Sequence, residues 1–204
     1  MKCENICKAF GDRVVLKDFN LTLPSKGVVA FMAPSGSGKT TLIRMMAQLE
    51  SPDNGCFRCD KNRLSVVFQE DRLIPGVSVF QNIMAVLKKG EEAKAMEWLE
   101  KMELVHAKDL LPQQLSGGMR RRAAIARAMA YGGDFLILDE PFSGLDPKTR
   151  QNIIPHIFNT DQDDRLILLI THDRQEAESL ADRLIVMEGP VLHVVEDVSK
   201  SDNP

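Results

Sequence analysis

Three short segments of the 204-residue chain carry residue types and spacings that suit phosphate chemistry. The first, residues 33–40 (APSGSGKT), combines glycines with a lysine and a threonine. Gly36 and Gly38 allow backbone N–H groups to turn inward around a polyphosphate, and a helix that begins near Lys39 directs the positive end of its dipole at the same anion. Lys39 can then reach the β- and γ-phosphates, and the Thr40 hydroxyl can bind Mg²⁺.

Alanine stands at the first position of this octet, where the phosphate-loop pattern GxxxxGK[ST] has glycine. The methyl group of Ala33 would crowd the turn if the backbone there needed a positive φ, and we expect instead that alanine fits. The alternative for the whole octet is a chance glycine-rich turn. An apolar strand before the octet and a helix after it argue against that alternative.

The second segment, residues 135–141 (FLILDEP), ends an apolar run in two carboxylates. The carboxyl end of a strand is where ligands bind in open α/β sheets. There Asp139 would hold Mg²⁺, usually through water, and Glu140 would polarise the water that attacks a γ-phosphate. The alternative is a capping Asp-Glu pair before Pro141, which the spacing from the phosphate loop disfavours.

The hydrophobic pattern places both segments in a fold where strands and helices alternate. Residues 28–32 form a short apolar run typical of a buried parallel strand, and residues 41–49 predict an amphipathic helix directly after the phosphate loop. Further buried strands are predicted at residues 135–138 and 166–170, separated by a helix at about 147–158. Because such alternation is typical of a parallel α/β sheet, the sequence predicts a core of that kind.

Length and patterning outside this core favour one domain over residues 1–204. Residues 14–23 predict a strand, and residues 90–104 predict a charged amphipathic helix. We expect that helix to belong to a helical subdomain at about residues 70–115, inserted between two halves of the core.

Composition and charge exclude several function classes. The net charge of −3 argues against a general nucleic-acid-binding surface, which usually carries a strong basic excess. No stretch approaches the roughly 18 uninterrupted apolar residues of a membrane span, and the N-terminus lacks the charged and then apolar pattern of a signal peptide. We therefore expect a cytoplasmic chain whose cysteines stay reduced.

The four cysteines allow two interpretations. Cys56 and Cys59 form a CxxC pair, and Cys3 and Cys7 could share one face of an N-terminal strand, so four thiolates could gather around zinc. The alternative, which we favour, is that each thiol packs as a small apolar side chain in a β-subdomain.

The third segment, LSGGM at residues 115–119, lies between the other two and precedes RRRAAIARAM at residues 120–129. With the segments in this order, the chain resembles the ATP-binding subunit of an ABC transporter over about residues 7–187. The family signature reads LSGGQ, so Met119 is the single departure, and it affects side-chain contacts rather than backbone contacts. The resemblance implies an α/β phosphate-loop NTPase core with a mainly parallel sheet, an N-terminal antiparallel β-subdomain and the inserted helical subdomain.

In that family the signature caps the γ-phosphate held by the opposite subunit. This implies that Ser116 and the backbone of Gly117 and Gly118 act in trans. A serine N-cap followed by flexible glycines describes the same local shape without a ligand, and both descriptions can hold together. Asp146, in SGLDP, resembles the aspartate that lies at the dimer interface.

Three further residues match the family individually. Gln69, in VVFQE, resembles the glutamine that touches Mg²⁺ and the attacking water and relays movement from the transporter. His172, in LLITHD, matches the histidine that contacts the γ-phosphate, although a solitary histidine is usually structural. Phe10 stands where the family has an aromatic residue stacked on adenine, and a core or turn-packing role is the alternative.

The resemblance therefore implies an ATPase site that is assembled from two chains and binds ATP and Mg²⁺. The implied catalytic residues are Lys39, Gln69, Glu140 and His172. The implied metal ligands are Thr40, Gln69 and Asp139. The implied cofactor-binding residues are Phe10, Ser35, Gly36, Ser37, Gly38, Lys39, Thr40, Thr41, Ser116, Gly117, Gly118 and Asp146.

The resemblance also implies partners and a location. Two copies would sandwich two ATP molecules as a homodimer, and a separate membrane permease would dock at about residues 69–81, whose sequence resembles that of importers of small solutes. The segments LDEPFSGLD and THDRQEAESLADRLIVM resemble the nitrate, sulfonate and taurine class. We expect the chain at the inner face of the cell membrane, with a solute-binding protein as an indirect partner.

Other ATPases share these motifs and are the alternatives to transport. A DNA-repair or chromosome-structuring ATPase would need a long coiled-coil insertion, for which 204 residues leave no room. A translation-associated ABC protein normally carries two cassettes and basic surfaces. A regulatory module without catalysis would lack Glu140 or Lys39, and this chain has both. Transport is therefore the favoured function.

Overall fold

The structure is a computed structural model, and it describes residues 1–158 and 164–200. The β-strands are β1 (Lys2–Phe10), β2 (Arg13–Thr22), β3 (Gly27–Met32), β4 (Asn54–Arg58), β5 (Leu64–Val67), β6 (Phe135–Asp139), β7 (Leu166–Ile170), β8 (Arg183–Glu188) and β9 (His193–Ser199). The α-helices are α1 (Lys39–Met46), α2 (Val79–Met84), α3 (Glu92–Lys101), α4 (Gly117–Tyr131), α5 (Pro147–Phe158) and α6 (Arg174–Leu180). Two short 3₁₀ turns, at Val105–Ala107 and Pro112–Gln114, lie between α3 and α4.

Six of the described strands form the central sheet in the order β5-β6-β7-β3-β8-β9. Neighbouring strands from β5 to β8 are parallel, and β9 pairs with β8 in the antiparallel direction at one edge. The sequences of β6 and β7 are FLILD and LILLI, and every residue in them is buried, as expected for strands that are covered on both faces. The predicted α/β core with a mainly parallel sheet is therefore confirmed.

A second sheet contains the N-terminal strands in the order β2-β1-β4, and both of its pairings are antiparallel. The predicted N-terminal antiparallel sheet is thus also confirmed. In the hairpin of β1 and β2, Phe10 pairs with Arg13 at the turn. The hairpin therefore brings these two side chains to the same end of the sheet.

Two apolar clusters cover the two faces of the central sheet. Val28 and Ala30 of β3 belong to the cluster that includes α3, α4 and α5, whereas Val29 and Phe31 belong to the cluster that includes α1 and the small sheet. Successive side chains of a strand point to opposite faces, so a continuous apolar strand serves both clusters. The residues that follow each strand lie at the edge of the sheet and can therefore be polar.

Residues 70–115 contain α2, α3 and both 3₁₀ turns, and in the described structure they contain no β-strand. Helices α2 and α3 pack against α4, so α4 belongs to the same helical layer although it lies beyond the predicted subdomain. The interpretation of residues 1–204 as one domain stays a prediction, and the ranges 159–163 and 201–204 lie outside the described residues.

Helix α1 ends at Met46, so the predicted helix end at residue 49 is wrong. Gln48 adopts a φ of 58°, and the Leu49 N–H donates to the Arg44 carbonyl at 2.8 Å. This six-to-one hydrogen bond is that of a Schellman motif, which usually has glycine at the left-handed position. The sequence signal for the helix end was therefore missing.

Helix α3 is also shorter than the predicted range 90–104, and at its C-terminus the reason is the same. Glu103 has a φ of 53°, and the Leu104 N–H donates to the Leu99 carbonyl at 2.7 Å.

Among the helices that the structure describes, none combines the length and the apolar character needed to cross a bilayer.

Bulges in β1 prevent Cys3 and Cys7 from lying on the same face of the strand. Asn5 has a φ of 51°, and the pairing register shifts on either side of Ile6, so Ile6 joins Cys3 in the buried core. Cys7 is only half-buried, and its Sγ contacts Asp18 at 3.6 Å. Cys3 and Cys7, which could have shared one face of the strand, therefore differ in burial and do not lie on the same face. Within residues 1–158 and 164–200, no group of three or more His, Cys, Asp or Glu side chains could hold a metal ion.

Candidate nucleotide-binding site

A cavity of about 500 Å³ lies where β3, β5 and β6 end. The residues of the predicted phosphate loop that line it are Pro34, Ser35, Gly36, Gly38, Lys39 and Thr40, and Thr41, directly after the loop, lines it too. Four predicted residues from other parts of the chain also line it, namely Phe10, Gln69, Asp139 and Glu140, and so do Arg13 and Val15 of β2. The fold thus brings together at one cavity residues that lie far apart in the sequence.

The phosphate loop needs both of its glycines, for different reasons. Gly36 has a φ of 77°, and a Cβ at this position would meet nothing within 4 Å. Gly38 has a φ of 102°, and a Cβ there would lie 2.4 Å from Cγ1 of Val15. Ala33 is not among the residues with positive φ, so alanine fits this turn without strain. Its carbonyl accepts a hydrogen bond from the Lys39 ammonium at 3.2 Å.

Ser37 is the predicted cofactor-binding residue of the loop that does not line the cavity. Its hydroxyl is buried without a hydrogen-bond partner. The residue packs instead against Gly189, where a Cβ would lie 2.7 Å from the Ser37 Cα. That Ser37 takes part in cofactor binding stays a prediction, and its side chain packs against the turn after β8.

Asp139 is the last residue of β6 and is 9% exposed. Burial raises the pKa of its carboxyl group, and the neighbouring Glu140 charge acts in the same direction. The positive charges of Lys39 and Arg121 oppose this shift. A buried carboxylate whose ionised form is disfavoured gains from a cation bound beside it.

Glu140 and His172 form a pair at the edge of the cavity, across 32 positions of sequence. The two carboxylate oxygens of Glu140 lie 2.8 and 2.9 Å from Nδ1 of His172. Glu140 has a φ of 51°, a left-handed conformation that is uncommon outside glycine and recurs at functional sites. Its N–H donates to the Ile170 carbonyl at 2.9 Å, which ties this conformation to β7.

Gln69 follows β5 and is exposed at the cavity. The guanidinium group of Arg121, on α4, donates to the backbone carbonyls of Phe68 and Gln69. The loop that carries Gln69 is thus fixed to the helix that begins at the third segment.

The third segment forms the start of α4. The Ser116 hydroxyl accepts a hydrogen bond from the Met119 N–H at 3.2 Å, so Ser116 is the N-cap. Ser116 and Gly117 are exposed, and a Cβ at Gly118 would lie 3.2 Å from Cδ2 of Leu145. None of these three predicted residues lines the cavity of its own chain.

Asp146 and Phe10 are two further predicted cofactor-binding residues. Asp146 caps α5 by accepting a hydrogen bond from the Thr149 N–H at 3.0 Å, and hydrogen bonding with Thr149 lowers the pKa of Asp146. It is exposed and does not line the cavity. The Phe10 ring is 51% exposed at the cavity, with the Lys8 ammonium 5.2 Å from its centroid.

Comparison with known families identifies this arrangement. The family model described as ABC transporter matches residues 16–143, which contain all three segments. The chain belongs to the ABC transporter family. Among its relatives, the aliphatic sulfonates import ATP-binding protein SsuB of Granulibacter bethesdensis is 40% identical over 183 residues, which cover 88% of this chain and 76% of the relative.

A second relative is the sulfate/thiosulfate import ATP-binding protein CysA of Escherichia coli strain K12. It is 39% identical over 204 residues, which cover 90% of this chain and 56% of CysA. The chain therefore spans just over half the length of that relative.

Solved structures agree with this assignment. The dimeric bacterial ABC transporter cassette MJ0796 matches with a TM-score of 0.89 and 28% identity, over 97% of each chain. The same cassette in a post-hydrolysis state bound to ADP and Pi matches with a TM-score of 0.84. The resemblance to ABC transporters that the sequence motifs indicated is thus confirmed.

The cavity of this ABC family member suits a nucleotide and a magnesium ion. Thr40, Gln69 and Asp139 all line it and offer hydroxyl, amide and carboxylate oxygens, the donors that Mg²⁺ prefers. The open space beside Gly36 allows a phosphate to approach the backbone closely. Lys39 supplies the positive charge at the same place.

Two arginines of this ABC family member belong to the site although sequence reasoning missed them. Arg13 lines the cavity and donates from Nη2 to the Gly36 carbonyl at 2.9 Å. In the sequence, the one sign that Arg13 belongs to the site is its position in the same turn as Phe10. Arg121 holds the loop of Gln69, and within a run of three arginines nothing in the sequence distinguished it.

The Glu140–His172 pair predicts that the stability of this ABC family member depends on pH. Hydrogen bonding to the Glu140 carboxylate raises the pKa of His172 above the ordinary value of about 6.5. The pair's contribution to stability is fully present below that ordinary pKa and is lost as the pH rises through the raised pKa. His172 is 79% exposed, so solvent screens this contribution.

We expect an NMR titration of the His172 ring to have its midpoint above about 6.5 in the nucleotide-free protein. In Glu140→Gln the midpoint should fall toward that value, since the amide carries no charge. The His172→Gln variant assigns the signal. A midpoint that is the same in both proteins would show that the pair does not exist in solution.

Proposed function

We propose that this protein is the ATP-hydrolysing subunit of an importer, and that two copies form an ATP sandwich beneath a separate membrane permease. Its family is one of ATPases that serve transport. The observation that carries the proposal is the Glu140–His172 pair, which lies at the edge of the cavity that also contains Lys39. This arrangement combines a phosphate cradle with a carboxylate that can act on water.

The phosphate loop would bind and orient the nucleotide. Backbone N–H groups around Gly36 and at the start of α1 would surround the phosphates, and Lys39 would contact the β- and γ-phosphates. Mg²⁺, held by Thr40, Gln69 and Asp139, would neutralise charge that develops on the phosphates. Phe10 would stack on the adenine at the hairpin end of the cavity.

Glu140 would act as the base in hydrolysis. Its carboxylate would orient a water molecule and draw a proton from it during attack on the γ-phosphate. His172 would hold the carboxylate in place, because its ring contacts both oxygens of Glu140, and its exposed face could reach the γ-phosphate. Gln69 would help to position the same water molecule.

The signature residues would complete the site of the partner copy. Ser116 and Gly117 are exposed at the N-terminus of α4, a helix of 15 residues whose dipole favours an anion there. They do not line the cavity of their own chain, so a γ-phosphate would meet them only across a dimer interface. Asp146, exposed at the start of α5, would lie at that interface.

The permease would dock on residues 69–81. The buried Asn82 side chain accepts a hydrogen bond from the Ile74 N–H at 2.8 Å and donates to the Ile74 carbonyl at 3.2 Å. This fixed loop leaves the Ile74 side chain 42% exposed. An apolar side chain on a rigid loop beside Gln69 suits a permease segment whose movement must reach the site.

These partners imply a location in the cytoplasm, at the inner face of the cell membrane. A solute-binding protein would be an indirect partner through the permease, and no nucleic acid would take part. The two relatives named above are import proteins for sulfonates and for sulfate or thiosulfate, so import is the proposed direction and the solute class is left open.

The two-chain site predicts complementation between inactive variants. Lys39→Met should lose phosphate contacts, and Ser116→Arg should block the trans contact, so each variant alone should have little ATPase activity. In a one-to-one mixture, a mixed dimer has one site with an intact Lys39 from one chain and an intact Ser116 from the other. The mixture should therefore recover about a quarter of the wild-type rate.

The measurement is the steady-state ATPase rate of each variant and of the mixture with Mg²⁺ present. A mixture of Lys39→Met with itself at doubled concentration is the control. If the mixture of the two variants is no more active than either alone, the site does not contain residues from two chains, and the sandwich must be abandoned.

A further inference from the structure

Arg121 lies in the second turn of α4 and is 5% exposed. All three nitrogens of its guanidinium contact residues 68–71. Nη1 donates to the Phe68 carbonyl, Nη2 donates to the Gln69 carbonyl, and Nε lies 3.3 Å from Oδ1 of Asp71. A single buried side chain of α4 therefore fixes the backbone on both sides of Gln69.

This contact uses the specific geometry of arginine. A guanidinium presents its donors in a rigid planar fork, which can donate to two successive carbonyls while its charge pairs with a nearby carboxylate. A lysine ammonium is a point charge on a flexible stem and cannot reproduce that pattern. A buried charge without such partners would be costly, so the loop and the arginine each require the other.

The far end of the same loop is also held by α4. Arg127 donates to the Arg72 carbonyl at 2.8 Å, and the Arg72 guanidinium lies 4.0 Å from the centroid of the Phe68 ring. Among residues 68–72 of this loop, Gln69 is exposed and is the one that lines the cavity. The loop thus presents Gln69 to the cavity from a fixed backbone.

We propose that Arg121 is a positioning residue for ATP hydrolysis, which places the Gln69 side chain at the cavity by fixing the backbone of residues 68–71. This inference rests on the proposed function, in which Gln69 helps to position the attacking water. Arg121 does not line the cavity itself, and its hydrogen bond to the Gln69 carbonyl connects it to the residue that does. Arg121 lies on α4, the helix that begins with the signature. In the proposed dimer the signature contacts the nucleotide of the partner copy, whereas Gln69 contacts the nucleotide of its own chain. Arg121 therefore links these two parts of the site.

The first measurement compares the kcat and KM of ATP hydrolysis in Arg121→Met and in wild type. We expect kcat to fall by about 10- to 100-fold, since a small misplacement of a group near the reacting atoms has effects of that size. KM for ATP should change less than about twofold, because the phosphate loop is untouched. Arg44→Met, at an exposed position of α1, is the matched control and should keep the wild-type kcat.

A second measurement separates positioning from a general structural role. If Arg121 acts through Gln69, then Arg121→Met in a Gln69→Ala background should cause no further loss of kcat. A double variant whose loss equals the product of the two single losses would overturn the proposal. A Gln69→Ala variant with the wild-type kcat would overturn it as well.

Arg121→Lys keeps the proposal testable if Arg121→Met does not fold. The lysine keeps the charge but loses the fork, so kcat should still fall, again without a further loss in the Gln69→Ala background. A wild-type kcat in a folded Arg121→Lys would overturn the proposal. Glu140→Gln, measured in parallel, tests the proposed function separately, since that function fails if Glu140→Gln hydrolyses ATP at the wild-type rate.

Discussion

Replacing Glu140 by glutamine is expected to lower the kcat of ATP hydrolysis by about 10²- to 10⁴-fold, the usual contribution of a positioned general base. The amide keeps the size and a hydrogen-bonding oxygen but cannot take a proton from water. ATP binding should survive, because Lys39 and the phosphate loop are unchanged. With ATP and Mg²⁺ present, the variant should therefore accumulate as a dimer with unhydrolysed nucleotide at its interface.

Size-exclusion chromatography with light scattering, together with a phosphate-release assay, measures both effects. Glu92→Gln, at an exposed position of α3, is the matched control and should behave as wild type. A Glu140→Gln variant that binds ATP but stays monomeric would contradict the homodimer. In that case Met119 in the signature, or the need for a permease, would have to explain the missing assembly.

Replacing Gly38 by alanine is expected to have the largest effect on stability among substitutions in the phosphate loop. Its φ of 102° is unfavourable for any residue with a Cβ, and the new methyl group would lie 2.4 Å from Cγ1 of Val15, which is buried. The left-handed backbone alone costs about 1–2 kcal/mol. The clash should add about 1–3 kcal/mol to the loss in the free energy of unfolding.

Gly36→Ala is the matched control, because Gly36 also has a positive φ but has open space where the Cβ would lie. It should lose only the backbone contribution, as measured by denaturant unfolding without nucleotide. Adding Val15→Ala to Gly38→Ala should relieve part of the clash and so restore part of the lost free energy of unfolding. A double-mutant cycle isolates this contribution. Equal losses in Gly36→Ala and Gly38→Ala would show that the loop relaxes away from Val15.

The sequence predicted the regular elements best where the pattern was strong. Residues 147–158 form a helix and residues 166–170 a strand, as the pattern indicated. The predicted ends of α1 and α3 were wrong because Gln48 and Glu103 adopt the left-handed conformation. This conformation is usually adopted by glycine, and the sequence has no glycine at these positions. Local propensity contains no information about such a residue, since packing of the surrounding chain stabilises it.

The surroundings of Cys3, Cys7 and Ser37 also depend on contacts that the sequence does not show. Simple alternation allowed Cys3 and Cys7 to share one face, but the bulges beside Ile6 shift the register, and a shift of one position moves a side chain to the other face. Ser37 belongs to the phosphate-loop motif, yet close packing against Gly189 holds its side chain away from the cavity. Each outcome depends on a neighbour from another part of the chain.

The sequence by itself determined the chemistry of this protein. The phosphate loop, the Asp139–Glu140 pair and the signature identify a nucleotide-hydrolysing family, because each needs particular residue types at short, fixed spacings. Only the tertiary structure decided which distant residues meet. It pairs Glu140 with His172, and it selects Arg121 from three successive arginines to hold Gln69. Such contacts depend on how helices and strands pack, and packing depends on the whole core rather than on any local pattern.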